Sequence, residues 1–237
     1  MRCIVVGDSL PMPSLELKYE DTWVHHFRKD FPTVEVIDKY ARSSSVKRLV
    51  REGINSNGSD LLEIYEPDFV ITHLGIVDAA PRLLPRNAIG TKLLNKFAPP
   101  PLCKKMIYSL VRKIKGRTIS CCDLNIEQFE GCLLKYAERA HRLKVPVFCI
   151  KISYCGSKVL GKSPKMNYSI DLYNAAYDRL AKKFDNVTLI NPLPEMSVTE
   201  LDEILQSDGL HHKARASAMV YERVKETITR NIDIKKH

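Results

Sequence analysis

The chain opens with Met1-Arg2-Cys3-Ile4-Val5-Val6-Gly7-Asp8-Ser9-Leu10, and this stretch decides the fold. Its first six residues are mostly apolar, which is typical of a strand buried on both faces of a parallel sheet. Gly7 ends the predicted strand and leaves Ser9 just beyond its carboxyl end. Ligands and reactive groups in open α/β sheets collect at that edge. The sequence therefore predicts a parallel sheet with Ser9 at its functional edge.

Strands and helices alternate along the rest of the chain. The predicted strands cover about residues 2–7, 34–37, 68–74, 145–152 and 187–190. The predicted helices cover about residues 21–29, 44–52 with 60–65, 124–143, 168–184 and 212–230. Such alternation indicates a parallel sheet covered by helices on both faces. We expect a flavodoxin-like, three-layer α/β/α sandwich with five parallel strands in the order 2-1-3-4-5.

The length of 237 residues suits one large α/β domain, and residues 1–237 are predicted to form it. The stretch 79–123 is too long for a simple strand-to-helix loop. It contains Pro99-Pro100-Pro101 and then a basic amphipathic segment, 102–114. We predict an insertion here: an ordinary surface helix, a lid, a dimer contact or a helix lying on a membrane surface.

Composition indicates an ordinary globular protein, with 44% hydrophobic and 27% charged residues. No apolar run approaches the roughly 18 residues that span a bilayer. Gly7-Asp8-Ser9 interrupts the only candidate for the apolar core of a signal peptide, so we expect a cytoplasmic protein. The seven cysteines are odd in number and form no CxxC pair, which argues against a disulfide framework and against a metal site.

The formal net charge is +9, which favours anionic partners such as sugar acids or phosphate-bearing substrates. Because the positive charge is spread along the whole chain, a merely basic surface is an equal alternative. A nucleic-acid-binding protein is a third alternative, but zinc spacings, aromatic-rich strand motifs and a recognisable recognition helix are all missing. We therefore expect no nucleic-acid partner.

A second polar cluster lies near the other end of the chain, in Ser207-Asp208-Gly209-Leu210-His211-His212. An aspartate three residues before a histidine, on a turn, can orient an imidazole that reaches back to Ser9. Nucleophile, base and orienting carboxylate together form the arrangement of serine hydrolases. The spacing favours His211 over His212 as the base, and Asp208 could instead cap the last helix.

Two other polar residues at strand ends have simpler interpretations. Asp8 is expected to turn the backbone and accept N–H bonds. His73, inside the third strand, is expected to be a buried histidine of the sheet whose hydrogen bonds are satisfied.

Gly7-Asp8-Ser9-Leu10 at the first strand, together with Asp208-Gly209-Leu210-His211 before the last helix, resembles the SGNH (GDSL) hydrolase superfamily. The resemblance covers essentially the whole chain. It implies that Ser9 is the nucleophile, His211 the base and Asp208 its partner. The second block of this superfamily supplies a glycine N–H to the oxyanion hole. Its counterpart here, residues 40–45, has no glycine, but a backbone N–H of Ser43 or Ser44 could serve.

The third block of the superfamily normally reads Gly-x-Asn-Asp, and here it reads Gly75-Ile76-Val77-Asp78. Val77 replaces the asparagine whose side chain donates to the oxyanion, and a valine cannot donate a hydrogen bond. Losing one such donor costs about 10²–10³ in rate in other hydrolases. Arg42 or Arg82 could take its place. Asp78, like Asp8, is expected to accept backbone N–H bonds, and the segment 75–82 resembles members from bacterial polysaccharide loci.

The resemblance implies a serine-dependent ester hydrolase or O-acyltransferase that works through an acyl-serine intermediate and needs no metal or organic cofactor. The expected substrate is a small or carbohydrate-linked acyl ester, which could be anionic. The alternative is a catalytically weak or inactive binding protein on the same fold, because of the change at Val77.

Overall fold

The computed structural model describes residues 1–50, 60–81, 122 and 124–232. Its centre is one sheet of five parallel strands in the order β2-β1-β3-β4-β5. The strands are β1 (Arg2–Gly7), β2 (Glu35–Tyr40), β3 (Phe69–His73), β4 (Val147–Ile150) and β5 (Val187–Ile190). The predicted α/β class, strand number and strand order are confirmed.

Helices follow the strands along the described chain. They are α1 (Trp23–Asp30), α2 (Ile76–Ala79), α3 (Ile126–Arg142), α4 (Ser157–Lys162), α5 (Met166–Lys183), α6 (Val198–Ile204) and α7 (Ala214–Asn231). Short 3-10 turns lie at Tyr19–Asp21 and Val46–Val50, and a π-helical turn at Asp60–Ile64.

Two hydrophobic layers cover the faces of the sheet. Cys3 and Val5 of β1 belong to the layer that includes residues of α1 and α7. Ile4 and Val6 belong to the other layer, which includes residues of α3 and α5. Successive side chains of a strand point to opposite faces, so the apolar run at the N-terminus fills both layers at once. All four side chains are fully buried.

Most predicted helices are confirmed within a few residues, and the main differences concern short ones. Within the predicted helix at 44–52, the structure has a short 3-10 helix over Val46–Val50, and residues 51–59 lie outside the described part. The short helices α2, α4 and α6 were not predicted. The helix α6 has a readable signal, because Ser197 and Glu200 form a capping box around its first turn.

The register of the central strands determines which loops surround Ser9. Gly7 pairs with Tyr40 on one side and with His73 on the other. The backbone continues this pattern one residue further, since the N–H of Asp8 donates to the His73 carbonyl at 3.1 Å and the N–H of Ala41 donates to the Gly7 carbonyl at 3.1 Å. The loops that follow β2 and β3 therefore flank the residues after β1. Of the expected insertion at 79–123, only residues 79–81 and 122 are described.

Candidate active site

Ser9 lies two residues beyond β1 and is partly exposed, whereas its neighbour Asp8 is fully buried. Asp8 Oδ1 accepts the N–H of Leu10 at 2.9 Å, which turns the chain at the end of the strand. The expected backbone role of Asp8 is thereby confirmed. Burial raises the pKa of Asp8 to about 7, the Leu10 N–H opposes this, and the nearby charge of Asp78 adds to it.

A continuous hydrogen-bond chain joins the two ends of the polypeptide. Ser9 Oγ lies 2.8 Å from His211 Nε2, and His211 Nδ1 lies 2.5 Å from Asp208 Oδ2. A carboxylate only accepts hydrogen bonds, so Nδ1 carries the proton and donates to Asp208. Nε2 is then free to accept the Ser9 hydroxyl proton. The three residues that the sequence singled out are therefore in contact.

Asp208 also fixes the turn that carries the histidine. Its Oδ1 accepts the N–H of Leu210 at 2.9 Å and the N–H of His211 at 3.0 Å. Partial burial alone would raise the pKa of Asp208, but the hydrogen bonds from the His211 backbone and ring and from Leu210 outweigh it and hold this pKa below its usual value. Since α7 begins at Ala214 with Lys213 as its N-cap, Asp208 does not cap that helix.

His212, the competing histidine, lies elsewhere. Its ring is buried and stacks on the ring of His73, with centroids 6.1 Å apart, and the His73 ring lies 6.0 Å from that of Trp23. Desolvation lowers the pKa of His212 to about 4 and that of His73 well below its usual value. The expectation that His73 is a buried histidine of the sheet is confirmed. However, within the described residues the ring nitrogens of both histidines have no hydrogen-bond partner, so the expected satisfaction of His73 is wrong.

The loop after β2 narrows the choice of oxyanion donor. Ser43 has a φ of 61°, the left-handed conformation that favours glycine. The N–H of Ser44 donates to the carbonyl of Ala41 at 3.1 Å and is therefore occupied. Among the described residues, the N–H of Ser43 has no acceptor. Ser43 is consequently the better candidate of the two.

The segment 75–78, which follows β3, holds the loop after β2 in place. Gly75 has a φ of 112°, and a Cβ there would lie 2.8 Å from Cδ1 of Ile152, so this position requires glycine. Asp78 is buried and accepts the Ser45 hydroxyl at 2.5 Å and the Val46 N–H at 3.0 Å. Its carboxylate thus ties the loop after β2 to the helix α2, as its expected backbone-accepting role requires.

Of the two arginines proposed to replace the missing asparagine, only Arg42 is described. It is exposed, and its Nη2 donates to the carbonyl of Pro13 at 3.0 Å. Arg82 lies outside the described residues. Val77 is partly buried and packs against the hydrophobic layer of α3 and α5.

Two contacts near this site could not be predicted from the sequence. Ser14 Oγ donates to Oε1 of Gln206 at 2.9 Å, and the carboxylate of Glu16 accepts the N–H of Ser207 at 3.0 Å. Both join the loop after Ser9 to the loop before His211. The partners are about 190 residues apart in sequence, so no local pattern connects them.

The described residues contain no cluster of three or more histidine, cysteine, aspartate or glutamate side chains that could hold a metal ion. Over the same residues, every helix is too short or too polar to cross a bilayer.

Comparison with known proteins identifies the fold. No protein-family model and no curated protein sequence matches the chain. Solved structures do match, and they share the arrangement of strands and helices described above. TesA is 16% identical with a TM-score of 0.60, over 98% of this chain and 100% of its own. Axe2, an acetylxylan esterase from Geobacillus stearothermophilus, is 12% identical with a TM-score of 0.62, over 96% and 93%.

A third match is described as a lipolytic protein of the G-D-S-L family from Desulfitobacterium hafniense. It is 14% identical with a TM-score of 0.60, over 95% of this chain and 98% of its own. The fold of this chain is therefore the one found in ester hydrolases of the GDSL type. The similarity extends over nearly the full length of the described fold, in agreement with the resemblance carried by the Ser9 and His211 motifs.

Proposed function

We propose that this chain is a serine-dependent ester hydrolase or O-acyltransferase that works through an acyl-Ser9 intermediate. The observation that carries the proposal is the chain of contacts from Ser9 Oγ to His211 Nε2 at 2.8 Å and from His211 Nδ1 to Asp208 at 2.5 Å. Nucleophile, base and orienting carboxylate form the same sequence of contacts in unrelated serine hydrolases. Catalytic mutants of Axe2 at a serine and at an aspartate are among the matching structures, which is consistent with these roles.

The reaction begins when Ser9 Oγ attacks the carbonyl carbon of the ester while His211 Nε2 takes the hydroxyl proton. The tetrahedral intermediate collapses, the bond to the alcohol oxygen breaks, and His211 returns the proton to the leaving alcohol. The Asp208 carboxylate stabilises the imidazolium formed between these steps. Water then attacks acyl-Ser9 to release the acid, or a sugar hydroxyl attacks it to form a new ester.

The oxyanion side of the reaction depends on backbone donors. The N–H groups of Ser9 and Ser43 are the proposed pair, because the Ser44 N–H is already occupied. Val77 adds no side-chain donor, so the rate constant is expected to lie below that of an enzyme with a third donor by about 10²–10³. Arg42 can contribute positive charge at the mouth of the site.

The substrate class we propose is a small or carbohydrate-linked acyl ester. The formal charge of +9 favours an anionic ester, and Axe2 is an acetyl-xylooligosaccharide esterase on the same fold. The resemblance of segment 75–82 to polysaccharide-locus proteins points to the same class. Analysis of the products formed from an acetylated oligosaccharide distinguishes water from a sugar hydroxyl as the acceptor of the acyl group.

The test measures hydrolysis of p-nitrophenyl acetate and of acetylated xylooligosaccharides by the purified protein. Ser9→Ala should abolish turnover, and Asp208→Asn should lower kcat by up to about 10⁴ because the imidazole then favours the wrong tautomer. Ser163→Ala is the matched control, since this partly exposed serine lies at the end of α4. Equal turnover by wild type and Ser9→Ala would reject the proposal.

A binding protein that has lost catalysis is the second candidate, and Val77 is the observation that favours it. A serine-directed fluorophosphonate separates the two candidates without a known substrate. An active hydrolase becomes labelled at Ser9, whereas a binding protein without an activated serine does not. Mass spectrometry of the labelled peptide identifies the site.

A further inference from the structure

The loop that follows Ser9, residues 10–18, is fastened to the loop that carries Asp208 and His211. The Glu16 carboxylate accepts the N–H of Ser207 at 3.0 Å through Oε2 and at 3.3 Å through Oε1. It also accepts the hydroxyl of Ser207. Two residues earlier, Ser14 Oγ donates to Oε1 of Gln206 at 2.9 Å. Gln206 and Ser207 of the loop before His211 are thus held by Ser14 and Glu16 of the loop after Ser9.

The fastened residues directly support the histidine and the aspartate. Ser207 precedes Asp208 in the chain. The N–H of Gln206 donates to the carbonyl of His211 at 2.7 Å, and its Nε2 donates to the carbonyl of His212 at 2.7 Å. Any displacement of Gln206 or Ser207 would therefore move Asp208 and His211 as well.

The first loop is equally well connected to the nucleophile. The N–H of Met12 donates to the carbonyl of Ser9 at 3.2 Å, and the N–H of Ser14 donates to the carbonyl of Leu17 at 2.9 Å, which closes the turn that carries Glu16. Glu16 consequently joins a turn that begins at Ser9 to a turn that ends at His211. The Ser14–Gln206 contact joins the same two turns.

The charge of Glu16 suits this role. The hydroxyl and the N–H of Ser207 hold the pKa of Glu16 below its usual value, so the side chain is ionised at neutral pH. A carboxylate is acceptor-only, so it can bind both donors of one serine at the same time. The far side of the Ser207 turn is held separately, because Lys158 Nζ donates to the Ser207 carbonyl at 2.5 Å.

We propose that Glu16 is a positioning residue that, through Ser207, holds Asp208 and His211 at reacting distance from Ser9. The inference rests on the proposed function, because the geometry that it explains is that of the acyl-transfer site. A misplacement of about 1 Å in such a site can cost about 10²-fold in rate. Since Gln206 and Lys158 still hold the turn, we expect Glu16→Ala to lower kcat by about tenfold and to leave KM unchanged.

The experiment compares Glu16→Ala, Glu16→Gln and Ser207→Ala with wild type, and uses Glu20→Ala as a matched control at an exposed position nearby. Glu16→Gln keeps one carbonyl oxygen for the Ser207 N–H, so it should recover most of the lost kcat. The double variant Glu16→Ala/Ser207→Ala should be no slower than Glu16→Ala, because Glu16→Ala already removes the contact that the Ser207 hydroxyl makes with Glu16. The midpoint of thermal unfolding should change little in every variant, since the contact is exposed.

Crystal structures of wild type and Glu16→Ala separate this inference from the proposed function. We expect the distance from His211 Nε2 to Ser9 Oγ to exceed 3.5 Å in the variant, whether or not the wild type turns over an ester. A wild type without esterase activity would reject the proposed function alone. An unchanged distance, or kcat within twofold of wild type in Glu16→Ala, would reject the role of Glu16.

Discussion

The buried imidazole of His212 makes the stability of this fold sensitive to acid. Desolvation, aided by the neighbouring charge of His211, lowers the pKa of His212 to about 4, whereas an unfolded histidine titrates near 6.5. The folded value lies below the unfolded one. The unfolded chain therefore binds more protons between these two pH values, and the free energy of unfolding falls as the pH falls from about 6.5 toward 4.

The size of the effect follows from the two pKa values. At pH 5 the unfolded histidine is almost fully protonated and the folded one is largely neutral, so His212 alone costs about 2 kcal/mol of stability relative to pH 7.5. His212→Leu removes the titrating group at similar volume. The substitution deprives no other polar group of its hydrogen bond, because no described residue makes a hydrogen bond to the His212 ring. We expect the stability of the variant relative to wild type to rise by about 2 kcal/mol between pH 7.5 and pH 5.

Urea unfolding at pH 7.5, 6.5, 5.5 and 5 measures this difference. Subtracting the wild-type free energy of unfolding from that of the variant removes the contribution of the carboxylates that titrate in both proteins. His141→Asn is the control, because that histidine lies on the surface with a side chain 53% exposed. Parallel pH dependences of wild type and His212→Leu would refute the reasoning. They would mean that water or a solute reaches the His212 ring and stabilises its charge.

Three further predictions concern the same edge of the sheet. Because burial raises the pKa of Asp8 to about 7, its ionisation destabilises the fold progressively as the pH rises from about 4 to about 7, so Asp8→Asn should gain about 2 to 3 kcal/mol relative to wild type between pH 5 and pH 8 in urea unfolding. Ser43→Gly should stabilise the protein by about 1 kcal/mol by relieving its φ of 61° and should retain the backbone donor; a drop in fluorophosphonate labelling would contradict that role. Gly75→Ala should lose more than about 2 kcal/mol, since its Cβ would meet Ile152, whereas the control Gly131→Ala has open space and should be neutral or stabilising in thermal unfolding.

Repeating physical patterns made the fold predictable. The apolar run before Gly7 and the alternation of strands and helices are each determined by neighbouring residues, and together they define a parallel sheet. Ser9 was predicted from its place just beyond the first strand and Asp208 and His211 from their three-residue spacing, and the resemblance to the SGNH superfamily linked the three residues. The short helix α6 could also have been found, since Ser197 and Glu200 form a readable capping box.

Other features depend on contacts between residues far apart in sequence. The sequence around Glu16 does not indicate a contact with Ser207, because a surface glutamate has many possible partners. The stacking of His73 on His212 could not be predicted either, because the two residues lie far apart in sequence, one in β3 and the other in the loop before α7. The choice of Ser43 over Ser44 required a backbone angle and an occupied N–H, which the identities of two neighbouring serines do not determine.

The proposed proton-transfer side and the proposed oxyanion side of this site differ in their hydrogen-bonding groups, and this difference affects the chemistry that we expect. On the proton-transfer side, Asp208 makes three hydrogen bonds to one histidine and its turn, and the base is in contact with Ser9. On the proposed oxyanion side, Val77 has only a hydrocarbon side chain where the resemblance to the SGNH superfamily implies an amide. If Ser9 is the nucleophile, as we propose, we expect this arrangement to activate it but to stabilise the tetrahedral intermediate less than a site with a third donor. We therefore expect rapid labelling by a fluorophosphonate, whose phosphorus is already strongly electrophilic, together with slow turnover of unactivated alkyl esters.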